Sequence, residues 1–211
     1  MTDPIAPDAP DHSESNNGSD GPLAGRVVAF LTADEGVERV ELTRPREAML
    51  RAGATVRLAS PSGGRVLLFD HFDHAGTELS DTTIADLDLS DLAGIVLPGG
   101  VGNPDQLRLD DDAVRLLSHA LDSGLPIAVV CHGPWTLIET GKLRGRTLTS
   151  WPSLRTDLTN AGATWVDHEV VVCEAGPGPL VSSRKPDDLD AFSAAAIEAF
   201  TTSSIHVASR H

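Results

Sequence analysis

Apolar residues fall along the chain in short unbroken runs, separated by stretches whose apolar positions recur every three or four residues. RVVAFLT (26–32), ATVRLAS (54–60), GIVLPGG (94–100), PIAVV (126–130) and LVSSR (180–184) are the runs. Runs of this kind suit strands buried on both faces, where no polar side is needed. Residues 38–52, ERVELTRPREAMLRA, place Val40, Leu42, Ala48, Met49 and Ala52 at helical spacing and stop at Gly53. Pro45 inside that stretch predicts a kink or a restart of the helix. Residues 110–123 read as an amphipathic helix with three acids at its positive N-terminal end. Residues 134–140, 154–161 and 187–200 predict further helices, and ATWV, EVVVC and RVLLF (65–69) predict short strands. A polar excursion follows residue 69 and lasts to about residue 90. Strands alternating with helices predict an α/β fold with a mostly parallel central sheet covered on both faces.

The ends of the chain lack this pattern. Residues 1–23 are rich in Pro, Asp, Ser, Asn and Gly and carry little to bury, which predicts a disordered acidic tail. One folded domain is expected over 24–203, followed by a loose tail over 204–211. No internal repeat interrupts it.

Charge narrows the classes of partner. Thirty-one acidic residues against sixteen basic ones give a net charge of −15. Phosphate-rich ligands need clustered Lys and Arg, so neither nucleic acid nor an anionic membrane is expected as a partner. No apolar stretch approaches the length of a membrane span. The N-terminus has neither the positive region nor the apolar run of a signal peptide, so a cytoplasmic location is expected. The two cysteines, Cys131 and Cys173, lie far apart and outside any CxxC pair. They form neither a disulfide framework nor a zinc motif.

In parallel sheets, reactive groups gather at the carboxyl ends of strands, and three ends here carry chemistry. PIAVV runs directly into Cys131, His132, Gly133 and Pro134. A residue held between a strand and the next helix sits in a tight, strained turn with its side chain projecting upward, as at the elbow of serine hydrolases. A thiol placed there meets the helix N-terminus, which is expected to lower its pKa. The run GIVL ends in Pro98-Gly99-Gly100-Val101-Gly102-Asn103-Pro104-Asp105. Its glycines allow backbone N–H groups to face an oxyanion. No lysine or serine follows at P-loop spacing, so a nucleotide cofactor is not indicated. The third end, Ala33-Asp34-Glu35-Gly36-Val37-Glu38, is acidic. A carboxyl from it would repel a thiolate unless it were protonated, and would then donate a hydrogen bond to the sulfur.

With these residues in place, the sequence resembles the PfpI-type intracellular protease and deglycase family of the ThiJ/PfpI superfamily. LTADEGVERVEL, GIVLPGGVGNPDQLR, the segment from GLPIAVVCHGPW to TWVD, and LVSSRKPDDLDAF carry the resemblance over about residues 25–200. It implies a flavodoxin-like three-layer sandwich with Cys131 as nucleophile on the elbow and His132 beside it. It implies an acid hydrogen-bonded to the cysteine. Glu38 is preferred over Glu35 for that role, because the following Val-Glu-Leu keeps its offset. Gly99, Gly100 and the residues of the elbow up to Gly133 match the oxyanion and substrate-binding positions. Asp105 falls where relatives carry an acid that completes a Cys-His-acid triad, often across a dimer interface, so a homodimer or larger homo-oligomer is implied. Trp135 and Trp151 are candidates for walls of the pocket.

The expected reaction is attack of Cys131 on a carbonyl carbon, with His132 as base. The substrate is a small carbonyl compound such as methylglyoxal, its protein adduct, or a peptide. No metal and no cofactor is expected; His71 and His74 have H-x-x-H spacing, but no third ligand stands near them in sequence. Two other readings compete: a stress sensor working through oxidation of Cys131, and a chaperone-like interaction protein without turnover. Cys173 is read as structural.

Overall fold

The computed structural model describes residues 20–202. Residues 1–19 of the predicted acidic tail and 203–211 at the other end lie outside the described residues. Asp20 to Leu23, assigned to the tail on composition, are built into the fold: Leu23 is fully buried and its N–H donates to Ala52 O at 2.8 Å.

Among the described residues twelve strands form, β1 (Val27–Leu31), β2 (Val37–Glu38), β3 (Thr55–Ser60), β4 (Arg65–Asp70), β5 (Asp73–Leu79), β6 (Thr82–Thr83), β7 (Leu92–Leu97), β8 (Ile127–Val130), β9 (Thr147–Leu148), β10 (Thr164–Trp165), β11 (Val170–Cys173) and β12 (Leu180–Ser183). The helices are α1 (Arg39–Arg51), α2 (Gly102–Leu107), α3 (Asp111–Ser123), α4 (Pro134–Ile138), α5 (Arg155–Asn160) and α6 (Leu189–Thr202). Seven strands make the central sheet in the order β11-β12-β8-β7-β1-β3-β6. Every neighbouring pair in it is parallel except β11 with β12.

The unbroken apolar runs serve two cores at once, since successive side chains of a strand face opposite sides. In β1, Val28 and Phe30 pack with Leu42 and Met49 of α1 and Phe192 and Phe200 of α6. Ala29 and Leu31 face the other core, with Leu107 of α2, Leu117 of α3, Leu137 of α4 and Leu158 of α5. The result is the three-layer α/β sandwich that the alternation predicts. Helix α1 runs unbroken through Pro45, which is buried, so neither a restart nor a second helix is needed.

The polar excursion after residue 69 is a hairpin. Strands β4 and β5 pair antiparallel, and β2 adds to β4 in parallel, with Val37 opposite Leu68 and Glu38 opposite Phe69. This small sheet ties the turn between β4 and β5 to the first strand end, above the carboxyl edge of the main sheet.

Candidate active site

Strand β8 delivers Cys131 to the turn that opens α4. Its backbone has φ +60, a left-handed conformation that non-glycine residues seldom adopt. The turn is held from several sides: Cys131 N–H donates to Ser183 O at 3.1 Å, and Cys131 O accepts from Trp151 N–H at 2.9 Å. Gly133 N–H donates to Val130 O at 2.9 Å. A side chain on Gly133 would meet Val129 Cγ2 at 2.7 Å and Leu97 O at 2.9 Å, so only glycine lets the chain turn this tightly. The strained elbow read from the sequence is thus built by its neighbours.

The carboxyl that stands against Cys131 is Glu41, not Glu38 or Glu35. Each acid of the first strand end has its own partner. Glu35 accepts from Gln106 Nε2 at 3.1 Å on the surface. Glu38 Oε2 accepts from His71 N–H at 3.0 Å. Glu41, one turn into α1, is fully buried; its Oε2 accepts from Gly99 N–H at 2.9 Å, and the Cys131 side chain is its hydrogen-bonding neighbour. Helix α1 begins at Arg39, and that start turns the third acid of the series inward rather than the second.

Burial pushes the Glu41 carboxyl up to about 8, with the charge of Glu38 adding to the effect and the Cys131, Gly99 and Gly100 hydrogen bonds opposing it. The carboxyl therefore keeps its proton at neutral pH. Burial, and then Glu41, pushes the Cys131 thiol up as well, while N–H groups of Gly100 and His132 aimed at the sulfur pull it down. The sequence position predicted a lowered thiol pKa from the helix terminus. Desolvation outweighs it here, because α4 has only five residues and its dipole is small.

His132 Nδ1 lies 3.2 Å from Cys131 Sγ, and Nε2 lies 3.4 Å from Ser153 Oγ. Burial lowers its pKa to about 4, so the ring is neutral at pH 7 and can accept a proton at Nδ1. The ring stacks on Trp151 at 5.8 Å between centroids and meets the edge of Trp135 at 5.5 Å. Asp105 is exposed on α2; within the chain the two nitrogens of His132 face Cys131 and Ser153 instead.

The predicted oxyanion glycines divide. The N–H of Gly99 is held by Glu41, whereas that of Gly100 faces both the Glu41 carboxyl and the sulfur. Gly100 has φ +84, and a Cβ there would collide with Gly36 O. Asn103, which carried no expectation, secures the arrangement from a buried position. Its Oδ1 accepts from Ala33 N–H at 2.7 Å, and its Nδ2 donates to Pro98 O at 2.9 Å and Gly99 O at 3.1 Å. One amide thereby joins two strand ends.

A cavity of about 420 Å³ opens above Cys131, lined by Glu38, Glu41, His71, Phe72, Gly100, Val101, His132, Trp151 and Pro186 along with the cysteine. Trp151 forms its wall. Trp135 packs on the far edge of His132 with its indole N–H on Asp157 at 2.8 Å, so it supports the ring rather than lining the cavity. His71 and Phe72, which fall in the polar excursion of the sequence, reach the mouth on the β4–β5 turn. Among the described residues, the non-glycine positions with positive φ are Cys131 and His71, and both line this cavity. No group of three His, Cys, Asp or Glu side chains placed to hold a metal ion occurs among the described residues.

The model of the DJ-1/PfpI family matches residues 26–199, which take in all three strand ends. The chain belongs to the DJ-1/PfpI family. It is 38% identical over 165 residues to "Deglycase PfpI" of Pyrococcus furiosus, covering 78% of this chain and 93% of that one. It is 36% identical over 167 residues to "Putative cysteine protease YraA" of Bacillus subtilis, covering 79% and 94%. Among solved structures, Drosophila melanogaster DJ-1beta superposes with a TM-score of 0.72 at 28% identity, over 84% of this chain and 92% of that one. The DJ-1/ThiJ/PfpI-like and ferritin-like two-domain protein of Anabaena variabilis superposes with a TM-score of 0.75 at 31% identity. The match covers 82% of this chain and 47% of that longer one. No helix among the described residues is long and apolar enough to cross a membrane.

Proposed function

We propose that this chain is a cysteine-dependent enzyme that attacks carbonyl carbon through Cys131, with glyoxalase- or deglycase-type chemistry on α-oxoaldehydes or their adducts. The observation that carries the reading is the grouping at Cys131 Sγ: a neutral histidine nitrogen at 3.2 Å, a protonated buried carboxyl, and N–H groups of Gly100 and His132. Each does something a thiol addition needs. His132 Nδ1 takes the thiol proton as sulfur attacks. Glu41 and the two N–H groups then donate to the sulfur or to the oxyanion that forms beside it. With methylglyoxal, the Sγ–C bond forms at the aldehyde carbon to give a hemithioacetal. Transfer of the aldehyde hydrogen to the neighbouring carbon, as a proton moved by a base, gives a thioester. Water then cleaves the C–S bond and releases lactate and the thiol. The oxidation of one carbon balances the reduction of the next, so no redox cofactor enters the sum.

A base whose pKa lies near 4 is weak for this task, and no carboxylate among the described residues pairs with its ring nitrogens. An acid brought to the outer nitrogen of His132 would stabilise the imidazolium. Exposed Asp105 supplied by a second copy is the proposed source, which makes the active unit at least a dimer. The name of the Pyrococcus furiosus relative favours deglycation. Peptide hydrolysis is the second reading, favoured by the name of the Bacillus subtilis relative and the open cavity mouth.

The test is a panel of methylglyoxal and fluorogenic peptides with the parent protein and Cys131→Ala. Lactate formed by the parent and not by the variant supports the proposal. Full turnover of both substrate types by Cys131→Ala overturns it.

A further inference from the structure

Three of the sixteen basic residues of the chain stand within five positions, at Lys142, Arg144 and Arg146. They line a second cavity, of about 390 Å³, at the far edge of the sheet from Cys131. Helix α3, which gives Leu121 and Asp122 to its lining, leads into the amino end of β8. Arg146 Nη1 donates to Gly178 O at 2.7 Å, two residues before β12 begins. Cys131 leaves the opposite, carboxyl end of β8, and the chemistry described above uses none of these cations.

Arg146 is at the centre of the group. It is only 4% exposed, and its Nη1 meets Gly178 O and, at 3.4 Å, Cys173 O. Its Nε and Nη2 find no partner among the described residues. The space in front of that edge is open because residue 176 is a glycine: a Cβ there would stand 2.4 Å from Nη2 and 3.0 Å from Nε. A buried guanidinium that meets only carbonyl oxygens has part of its hydrogen bonding satisfied and its charge left unpaired. Arg144, exposed beside it, has no ion pair among the described residues either. Lys142 is held by Asp122 at 2.7 Å, so the lining carries three cations against one carboxylate. In the groove between α1 and α6, by contrast, Arg44 is matched by Asp190 and Arg51 by Glu47.

We infer that this cavity binds a small phosphoryl dianion, with the Nε–Nη2 edge of Arg146 as a two-pronged donor and Arg144 and Lys142 on the remaining oxygens. A guanidinium pairs with phosphate through two parallel N–H···O bonds, a geometry that an ammonium does not offer. A dianion also cancels the two positive charges that Asp122 leaves over. Leu121, Ala175 and Pro177 add an apolar flank on which a carrier group can rest. The net charge of −15 repels extended polyanions. In ordinary salt that repulsion is screened beyond about 10 Å, so a small anion responds to the cations it touches. The site is independent of whether Cys131 is a catalyst.

The test is isothermal titration calorimetry of the full chain at about pH 7.5 and about 20 mM salt, where screening is weak, with inorganic phosphate and phenyl phosphate as probes. Saturable binding of one phosphate per chain with a Kd of about 1 mM or below is expected. Arg144→Gln removes an exposed cation without touching the core and is expected to weaken both probes about tenfold. Arg146→Lys keeps the charge and loses the fork, and is expected to cost about as much, roughly tenfold. Tighter binding of phenyl phosphate supports the inference and assigns a phosphorylated small molecule as the occupant. Phosphate binding as tightly or more tightly supports it and assigns the free ion. No saturable binding of either probe up to about 20 mM, or binding that Arg144→Gln leaves unchanged, overturns it. Should the buried Arg146→Lys variant fail to fold, Arg144→Gln decides by itself.

Discussion

Replacing Glu41 by Gln tests the electrostatic centre of the site through stability, independently of any substrate. The carboxyl of Glu41 is fully buried and is pushed from 4.5 up to about 8. The folded chain therefore holds a proton that the unfolded chain has released everywhere between those two values. A group whose folded pKa is raised stabilises the fold fully below its unfolded pKa, and that stability is lost as pH rises through the window. Within the window the loss runs at about 1.4 kcal/mol per pH unit. From pH 5 to pH 8 it amounts to about 4 kcal/mol, or about 10 °C in Tm for a domain of this size. Glutamine keeps the acceptor for Gly99 N–H, offers an N–H toward the sulfur and does not ionise. Thermal melts of both proteins at half-unit steps from pH 5 to 9 are the assay. The Tm of Glu41→Gln minus that of the parent should climb by about 10 °C between pH 5 and 8 and level off above. His132 acts oppositely and at lower pH: its lowered pKa makes stability rise with pH between about 4 and its ordinary 6.5, and this contribution cancels in the difference. A difference that stays flat from pH 5 to 8 would show Glu41 to be ionised in the folded chain and would refute the proton-holding role.

Gly99→Ala places a Cβ 2.5 Å from Glu41 Oε2, 2.7 Å from Cys131 Cβ and 3.0 Å from His132 N; turnover should fall about a hundredfold with the fold kept by circular dichroism, and unchanged kcat would contradict the geometry. Asp105→Ala should lower kcat by about a hundredfold if a second copy completes the site, while light scattering of the parent should report at least a dimer; a monomer with Asp105-independent turnover would remove Asp105 from the mechanism.

The sheet was legible because its strands are buried on both faces and so read as unbroken apolar runs. Its two cores follow from simple alternation, as in Val28 and Phe30 against Ala29 and Leu31. The elbow was legible because an apolar strand, a cysteine and a helix-starting Gly-Pro stand adjacent in sequence. The choice among Glu35, Glu38 and Glu41 was not legible. The three acids are evenly spaced, and their fates are set by where α1 begins and by which neighbour each meets: Gln106, His71 or Gly99. The offset of Val-Glu-Leu pointed to the acid before it, whereas the glutamate inside that triplet is the one that faces the sulfur. Asn103 and the His71-Phe72 turn were missed for the same reason. An asparagine in a Gly-rich loop and a polar hairpin have no local signal that they fold back onto a distant strand end. The link from Asp105 to His132 cannot be read within one chain, since the residue lies on the surface.

The claim that Cys131 forms the bond to the carbonyl is tested most directly by rapid quenching of the protein with methylglyoxal, followed by intact and peptide mass spectrometry. A gain of one methylglyoxal on the peptide bearing Cys131, formed and lost at rates that match lactate production and absent from Cys131→Ala, is the predicted result. Lactate production at the full rate with no adduct on Cys131 would contradict the account.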